Sequence, residues 1–365
     1  NKVAGIGNKA VGDDNKVAGV GNKAAGDNNK VAGVGNKAVG DDNKVAGTDN
    51  KVIGDNNKVS GKDNLALGYK NILKGENNTT TGKSNSVEGT DNYVAGRANT
   101  NVGNSDITNG LYNKVKGNNN ITDGRSNETT GNNNIADGRE NKVIGDLNVA
   151  TGRENRVTGK CNIVSGTENK VIGNKASVYG RNNKVNATDG TAVGNDNEVT
   201  GENSSAFGKG NIAKGNSSAA FGHDNITSGD NSLAMGKENE TTGENSLALG
   251  KENKTDGINS TALGRDNKVT GERGLAVGEG NETKGKYGVT VGRNNKVTGK
   301  NSLAMGTGNR VEGSSNTVVG YKNKVTIFHN QNPVAIANCE AEHNGYYYSV
   351  ASLVIGNIHF PVVDA

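Results

Sequence analysis

Side chains that could perform chemistry are few in this 365-residue sequence, and their spacing does not fit a catalytic or metal site. His223 stands alone, and His329, His343 and His359 lack the close His, Cys or carboxylate neighbours that metal ligands have. No Ser, His and Asp set for nucleophilic catalysis can be assembled. We therefore predict no catalytic residue, no metal ligand and no cofactor.

Two further patterns give only weak hypotheses. Acidic pairs such as Asp13-Asp14 could bind calcium weakly, but neighbouring lysines such as Lys16 offset their charge. Pairs such as Gly5 and Gly7 lack the strand-helix context and the lysine of a phosphate-binding loop. A carbohydrate-processing enzyme would need acidic and aromatic residues clustered in one coil, and we find no such cluster.

The composition excludes most large enzyme folds. Hydrophobic residues are 31%, aromatic residues 4% and Trp is absent, so a thick core of large side chains cannot form. The net charge of +4 is spread over the chain, no basic patch indicates nucleic acid, and no apolar run reaches the ~18 residues of a membrane span. Because the chain opens at Asn1 inside a repeat, we interpret it as processed or truncated.

The elements that would position any site follow from a period of seven. Gly recurs at every seventh position from Gly5 to Gly320, with Ala187 as the single departure. Small residues two positions before each Gly and Asn four positions before it alternate with outward residues, which indicates a short strand and a turn. Inward Asn side chains are expected to stack in a ladder ~4.8 Å apart. The sequence therefore predicts an all-β parallel β-roll, or β-solenoid, with 14-residue coils of two strand-turn units.

An apolar strip on one outer face is the strongest candidate site. The residue before every second Gly is predicted to point outward, and we expect these residues to form an oligomer interface: Tyr179, Val193, Phe207, Phe221, Met235, Leu249, Leu263, Val277, Val291, Met305 and Val319. Near the start a moderate strip has the same spacing: Val11, Ala25, Val39, Ile53, Leu67 and Ala95. Between the two strips the equivalent residues are polar: Asn109, Asp123, Asp137, Thr151 and Ser165. We predict three β-roll sections, 1–103, 104–173 (polar) and 174–325, followed by a terminal segment, 326–365.

The motifs Asn231–Gly236, Asn245–Gly250 and Ser205–Gly208 resemble the YadA-like head of trimeric autotransporter adhesins. The resemblance is clearest over residues 174–325. It implies a left-handed parallel β-roll, three chains about one axis and an extracellular adhesive role. The chain departs from that family in having no neck-like segment, coiled-coil stalk or C-terminal membrane strands.

The segment 326–365 breaks the period, and two roles for it stay open. It either caps the last coil or inserts into the next molecule of a filament. The residues proposed for assembly are Tyr347, Val350, Leu353, Ile355, Ile358 and Phe360. Cys161 and Cys339 are either two unpaired thiols or an intermolecular disulfide between staggered molecules.

We expect an extracellular or cell-surface adhesive rod that associates with itself, as a trimer, and that contacts host or matrix components. The alternatives are a filament subunit, a single-chain solenoid, and an ice-binding or weakly calcium-binding solenoid. Ice binding by a β-solenoid requires a flat face of repeated Thr. Asp256 and Lys284 interrupt the best candidate row of outward threonines. No nucleic acid and no membrane-spanning segment are expected.

Overall fold

The computed structural model describes residues 1–325 and the backbone of four later strands, Val334–Ile336, Glu340–His343, Tyr346–Ser349 and Leu353–Val354. The described chain is a parallel β-solenoid with 14-residue coils, which confirms the predicted fold class. It divides into two compact units, residues 1–182 and 183–365. The finer subdivision into sections of different outer-face character stays a prediction.

The first unit contains thirteen coils of two strands each. Every strand pairs in parallel with the strand one coil later, so that residue 2 lies beside residue 16 and residue 9 beside residue 23. One sheet consists of β1 Lys2–Ile6, β3 Lys16–Val20, β5 Lys30–Val34, β7 Lys44–Thr48, β9 Lys58–Lys62, β11 Ile72–Glu76, β13 Ser86–Thr90, β15 Thr100–Asn104, β17 Lys114–Asn118, β19 Glu128–Asn132, β21 Lys142–Asp146, β23 Arg156–Lys160 and β25 Lys170–Asn174. The other consists of β2 Lys9–Val11, β4 Lys23–Ala25, β6 Lys37–Val39, β8 Lys51–Ile53, β10 Leu65–Tyr69, β12 Thr79–Lys83, β14 Tyr93–Arg97, β16 Ile107–Leu111, β18 Ile121–Arg125, β20 Ile135–Arg139, β22 Val149–Arg153, β24 Ile163–Thr167 and β26 Ser177–Arg181.

The second unit keeps the coil length but makes its two sheets unequal. The sheet of short strands consists of β27 Lys184–Val185, β29 Glu198–Val199, β31 Ile212–Ala213, β33 Ile226–Thr227, β35 Glu240–Thr241, β37 Lys254–Thr255, β39 Lys268–Val269, β41 Glu282–Thr283, β43 Lys296–Val297, β45 Arg310–Val311 and β47 Lys324–Val325. The sheet of five-residue strands consists of β28 Thr191–Asn195, β30 Ser205–Lys209, β32 Ala219–His223, β34 Leu233–Lys237, β36 Leu247–Lys251, β38 Thr261–Arg265, β40 Leu275–Glu279, β42 Val289–Arg293, β44 Leu303–Thr307 and β46 Thr317–Tyr321.

The core is a thin layer of small side chains between the two sheets. From Val17 onward the residue two positions before each repeat Gly is buried, as at Val31, Ala38, Val143 and Ala248, which confirms the predicted inward position. Leu73 is the largest side chain that is fully buried. Such a core buries little apolar area per coil, so hydrogen bonds between coils must contribute much of the stability.

An asparagine ladder supplies those hydrogen bonds, as predicted. The Asn43 side-chain amide donates to the Gly54 carbonyl at 2.6 Å and to Asn29 Oδ1 at 3.1 Å. Its own Oδ1 accepts the backbone N–H and the side-chain amide of Asn57, both at 3.1 Å. In the second unit one of the two ladders uses serine instead, as where Ser204 donates to the Gly215 carbonyl at 2.7 Å. Both polar side chains are completely buried, so their bonds are not exchanged for water.

The repeat glycines are required because adjacent coils approach closely there. Gly33 has φ +113°, and a Cβ on it would lie 1.9 Å from the Gly47 carbonyl oxygen. In the second unit, alternate glycines such as Gly201 lack a positive φ, yet a Cβ would still lie 2.0 Å from the Gly215 oxygen. For these glycines, close packing of coils and not a left-handed conformation is the reason for the residue.

Past the repeats, only strand backbone is described. β48 (Val334–Ile336) pairs in parallel with β46 and antiparallel with β51 (Leu353–Val354). β49 (Glu340–His343) and β50 (Tyr346–Ser349) pair with each other in antiparallel fashion. Cys339, Val350, Ile355, Ile358 and Phe360 lie outside the described residues. The side chains of Tyr347 and Leu353 are not described either, so the cap, connector and disulfide hypotheses stay predictions.

Candidate interaction surface

The predicted outward residues form a continuous apolar column on the five-residue strands of the second unit. Each residue of this column is the in-register partner of the next: Val193, Phe207, Phe221, Met235, Leu249, Leu263, Val277, Val291, Met305 and Val319. The Phe207 and Phe221 rings stack with centroids 5.0 Å apart, and Met235 and Met305 are 44% and 41% exposed. With strands ~4.8 Å apart, the column is about 43 Å long. Tyr179 lies at the equivalent position of β26 in the first unit and is exposed.

A second set of apolar residues widens this face, and sequence reasoning missed it. These residues lie two positions earlier in the same strands, and because side chains alternate along a strand they project on the same side. All five are half-buried: Leu233, Leu247, Leu275, Val289 and Leu303. The period of fourteen and the leucine in the motifs Asn231–Gly236 and Asn245–Gly250 could have indicated them. The apolar face is therefore two side chains wide over much of its length.

Charged residues border the apolar column where the strands leave it. Lys237 pairs with Glu238 at 3.1 Å, Lys251 with Glu252 at 2.9 Å, and Arg265 with Glu279. The hydrogen bond from Lys251 holds the pKa of Glu252 below its ordinary value, and the bond from Arg265 does the same for Glu279. An apolar centre beside a charged, solvated rim is the usual anatomy of a protein interface.

The opposite face of the second unit is polar. Lys254 reaches Glu240 on the preceding coil at 2.9 Å, and Lys284 reaches Glu282 at 2.7 Å. Outward positions matching those of the apolar column hold residues such as Thr200, Ser228 and Thr242, all exposed. One outer face of the second unit is thus apolar and the opposite outer face is polar.

The outer face in the middle of the first unit carries a polar and an apolar column side by side. The positions named above, Asn109 to Ser165, are indeed polar. However, the positions two residues earlier on the same strands carry a displaced apolar column, whose members are in-register partners: Tyr93, Ile107, Ile121, Ile135, Val149 and Ile163. Four of these side chains are between 41% and 45% exposed. The apolar residues here therefore lie one outward position to the side of the first strip, and the polar middle section stays a prediction.

One group of side chains among residues 1–325 could hold a metal ion. Ligand atoms of His223, Asp224 and Glu238 lie within 4.8 Å of one another, and His223 Nδ1 is 2.8 Å from Asp224 Oδ2. All three are at least partly exposed, and Glu238 also belongs to the charged rim. Cys161 is an exposed free thiol at a left-handed corner with φ +60°. The predicted absence of metal ligands and the predicted disulfide both stay untested.

Asp106 occupies an asparagine position of the first unit's ladder and is completely buried. Its Oδ1 accepts the backbone N–H of Asn120 at 2.7 Å and the Asn120 amide at 3.0 Å. The neighbouring Asn92 donates its side-chain amide to the Gly103 carbonyl at 2.7 Å, but a carboxylate has no N–H for the equivalent bond, and Oδ2 has no hydrogen-bond partner among the described residues. Burial raises the pKa of this carboxyl to about 6, although the bonds from Asn120 oppose the shift.

Replacing Asp106 with asparagine is expected to stabilise the first unit near neutral pH. The raised pKa means that the folded chain binds the proton more tightly than the unfolded chain, so stability falls as pH rises from about 4 to 6. The loss of stability from the ionised carboxyl is absent below pH 4 and complete above pH 6. A pKa difference of two units corresponds to about 3 kcal/mol in the free energy of unfolding. Thermal unfolding followed at pH 4 and pH 7.5 should show a gain only at the higher pH. An equal gain at both would contradict the assignment.

Comparisons with known families agree with the described folds. Residues 24–110 and 64–152 match the grass antifreeze beta roll, and residues 294–354 match a domain of unknown function, DUF7448. Six segments match the YadA head domain repeat: 186–211, 200–225, 213–239, 227–253, 242–267 and 256–281. No curated protein matches the chain. Among the described residues, no helix is long and apolar enough to cross a membrane.

Proposed function

Residues 186–281 form a YadA-like head β-roll, and from that premise we propose that the chain is an extracellular structural and adhesive module. In this proposal its second unit associates with two further copies through the apolar column, and the assembled surface attaches to host or matrix components. The role is structural and involves no catalysis.

The in-register apolar column is the observation that carries the proposal. Ten apolar residues in consecutive coils, widened by five more, exceed the scattered hydrophobic residues that a monomer ordinarily exposes. The ion-paired rim remains solvated when the column is covered, so association leaves no unpaired charge buried. Three as the number of copies is what the resemblance to the heads of trimeric autotransporter adhesins implies.

Charge introduced into the column should separate the copies. We expect the native protein to have a mass near three times 37.5 kDa, and the triple variant Phe207→Lys, Phe221→Lys, Leu249→Lys to have the monomer mass, because three ammonium groups would face one another in a dry contact. The matched control is Thr200→Lys, Ser228→Lys, Thr242→Lys on the polar face. Light scattering that finds the same mass for the triple variant and the native protein would refute the interface.

Ice binding is a second candidate, favoured by the match of residues 24–152 to the grass antifreeze beta roll. The outward positions at the start of this range are lysines rather than a regular array of hydroxyl groups, as at Lys30 and Lys37. The surface chemistry therefore favours adhesion. Thermal hysteresis measured on the intact protein separates the two proposals, since ice-dependent hysteresis would assign the antifreeze role to the first unit. The filament alternative depends on residues 326–365, and weak calcium binding depends on the acidic corners.

A further inference from the structure

The first five coils carry a lysine ladder whose charges have no ion-pair partner among residues 1–325. Its members are consecutive in-register partners on one sheet: Lys2, Lys16, Lys30, Lys44 and Lys58. All five are exposed, and none forms an ion pair within residues 1–325. Like charges directly opposite each other on adjacent strands destabilise a sheet. The lysine ladder therefore lowers the stability of the fold, so a contribution to stability does not explain why these lysines are present.

One later coil of the same unit shows that an acidic neighbour is possible at the ladder position. Lys142 lies beside Glu128 of the preceding coil, with Nζ and Oε2 2.9 Å apart. Lys74 of the sixth coil likewise lies near Glu88 of the next coil, at 3.8 Å. The repeat therefore tolerates glutamate next to lysine on adjacent coils, although a shorter cationic run, Lys142, Arg156 and Lys170, recurs on the same sheet. The fold does not require the five consecutive lysines of the first coils.

Open grooves lie on both sides of the lysine ladder. One, of about 560 Å³, has exposed alanines as its floor beside the lysines: Ala4, Ala18, Ala32 and Ala46. The other, of about 1140 Å³, lies between the lysines and the corner residues, which include Asp14 and Asp42. The ladder is thus a cationic ridge beside a smooth, narrow apolar floor, and the aspartates lie only on the corner side.

We propose that this ridge and its alanine floor bind a linear anionic polysaccharide, one that carries carboxylate or sulfate groups. The lysines repeat at the strand spacing of ~4.8 Å, which is close to the length of one sugar unit in an extended glycan. A straight polymer can therefore place its anionic groups opposite successive lysines over about 19 Å. The alanine methyl groups accept the C–H face of the sugar rings without a steric barrier.

Other polyanions fit this surface less well. The first sixty residues contain no aromatic side chain, so a nucleic acid would find no surface on which to stack its bases. The ladder's sheet offers only alanine methyl groups beside the lysines, which gives little apolar area for insertion into a lipid surface. The site lies outside the apolar column of the second unit, and the proposal does not depend on trimer formation.

Binding to immobilised heparin and to a polyuronate tests this proposal on the intact protein. We expect the native chain to be retained and the variant Lys16→Gln, Lys30→Gln, Lys44→Gln to bind at least tenfold more weakly. The plot of log affinity against log salt should become shallower by about three if each lysine contacts one anionic group. The matched control is Lys142→Gln, Lys254→Gln, Lys286→Gln, which removes the same charge from lysines already paired with glutamates.

A single charge reversal separates a binding role from a structural one. Lys30→Glu places a carboxylate between Lys16 and Lys44, so its melting temperature should equal or exceed that of the native chain while polysaccharide binding falls. The proposal would be overturned if the native protein bound neither polysaccharide, or if the ladder and control variants lost equal binding affinity. Tighter ladder-dependent binding to oligothymidylate or to phosphatidylserine vesicles would also overturn it, because the surface would then belong to a different polyanion.

Discussion

Gly33→Ala is expected to open the first unit locally, at a cost on the order of 4 kcal/mol or more. The new Cβ would lie 1.9 Å from the Gly47 carbonyl oxygen and 2.9 Å from its carbonyl carbon. These are backbone atoms of the next coil, so relief requires the strands to separate. Because neighbouring coils depend on each other for their hydrogen bonds, protection should be lost on both sides of the substitution.

Hydrogen exchange of the flanking strands measures this effect better than a global transition does, because long repeat arrays need not unfold in two states. Gly21→Ala is the matched control. Gly21 also has a positive φ, +66°, but a Cβ there meets no atom within 4 Å. In the control, the free energy of unfolding should therefore fall by only roughly 1 kcal/mol, the cost of an alanine in the left-handed conformation. Equal exchange rates in the two variants would show that close packing of coils is not the constraint.

Asn253→Ala should destabilise the second unit by about 5 kcal/mol, since buried groups left unpaired cost 1–3 kcal/mol each. The Asn253 amide donates to the Gly264 carbonyl at 2.7 Å, the Leu249 carbonyl at 2.9 Å and Asn239 Oδ1 at 3.0 Å. Its Oδ1 accepts the backbone N–H of Asn267 at 3.1 Å and that residue's amide at 2.9 Å. Alanine removes all five bonds, so the buried Asn267 N–H loses its acceptor and the two carbonyls, which are partly buried, lose the amide donor.

An exposed asparagine in the next coil provides the comparison. Asn259 occupies a left-handed corner with φ +56°, and Asn259→Ala should cost only about 1 kcal/mol, for the backbone conformation alone. Thermal unfolding and hydrogen exchange of β36 and β38 distinguish the two variants. Similar losses at both positions would mean that asparagine is needed for its backbone preference and not for the ladder.

Much of this architecture could be predicted because the repeat constrains each position in the same way. Glycine every seven residues, a small residue two before it and asparagine four before it imply coil length, inward positions and the ladder without any tertiary information. Asn43, Val31 and Gly33 behave as these positions predict. Confirmation of the YadA-like resemblance over residues 186–281 rests on the same regularity.

Other features could not be predicted because they depend on geometry within the coil. The left-handed corner position is occupied by residues as different as Asp14, Leu147 and Cys161, so the residue type does not identify this position in the sequence. The displaced column around Ile121 and the second leucine set around Leu247 required the knowledge of which outward positions share a face. Asp106 stands at a ladder position that elsewhere holds asparagine, and its raised pKa follows only from its burial.

Oxidation of the two methionines tests the buried apolar column most directly. The chain contains only Met235 and Met305, both in the column and both over 40% exposed in a single copy. In native protein treated with dilute hydrogen peroxide, mass spectrometry should show both thioethers oxidising far more slowly than in urea-denatured chain, because the other copies cover them. The exposed Cys161 thiol serves as an internal control for peroxide access. Methionines that oxidise as fast in the native protein as in the denatured chain would show that the column faces water, and would contradict self-association through it.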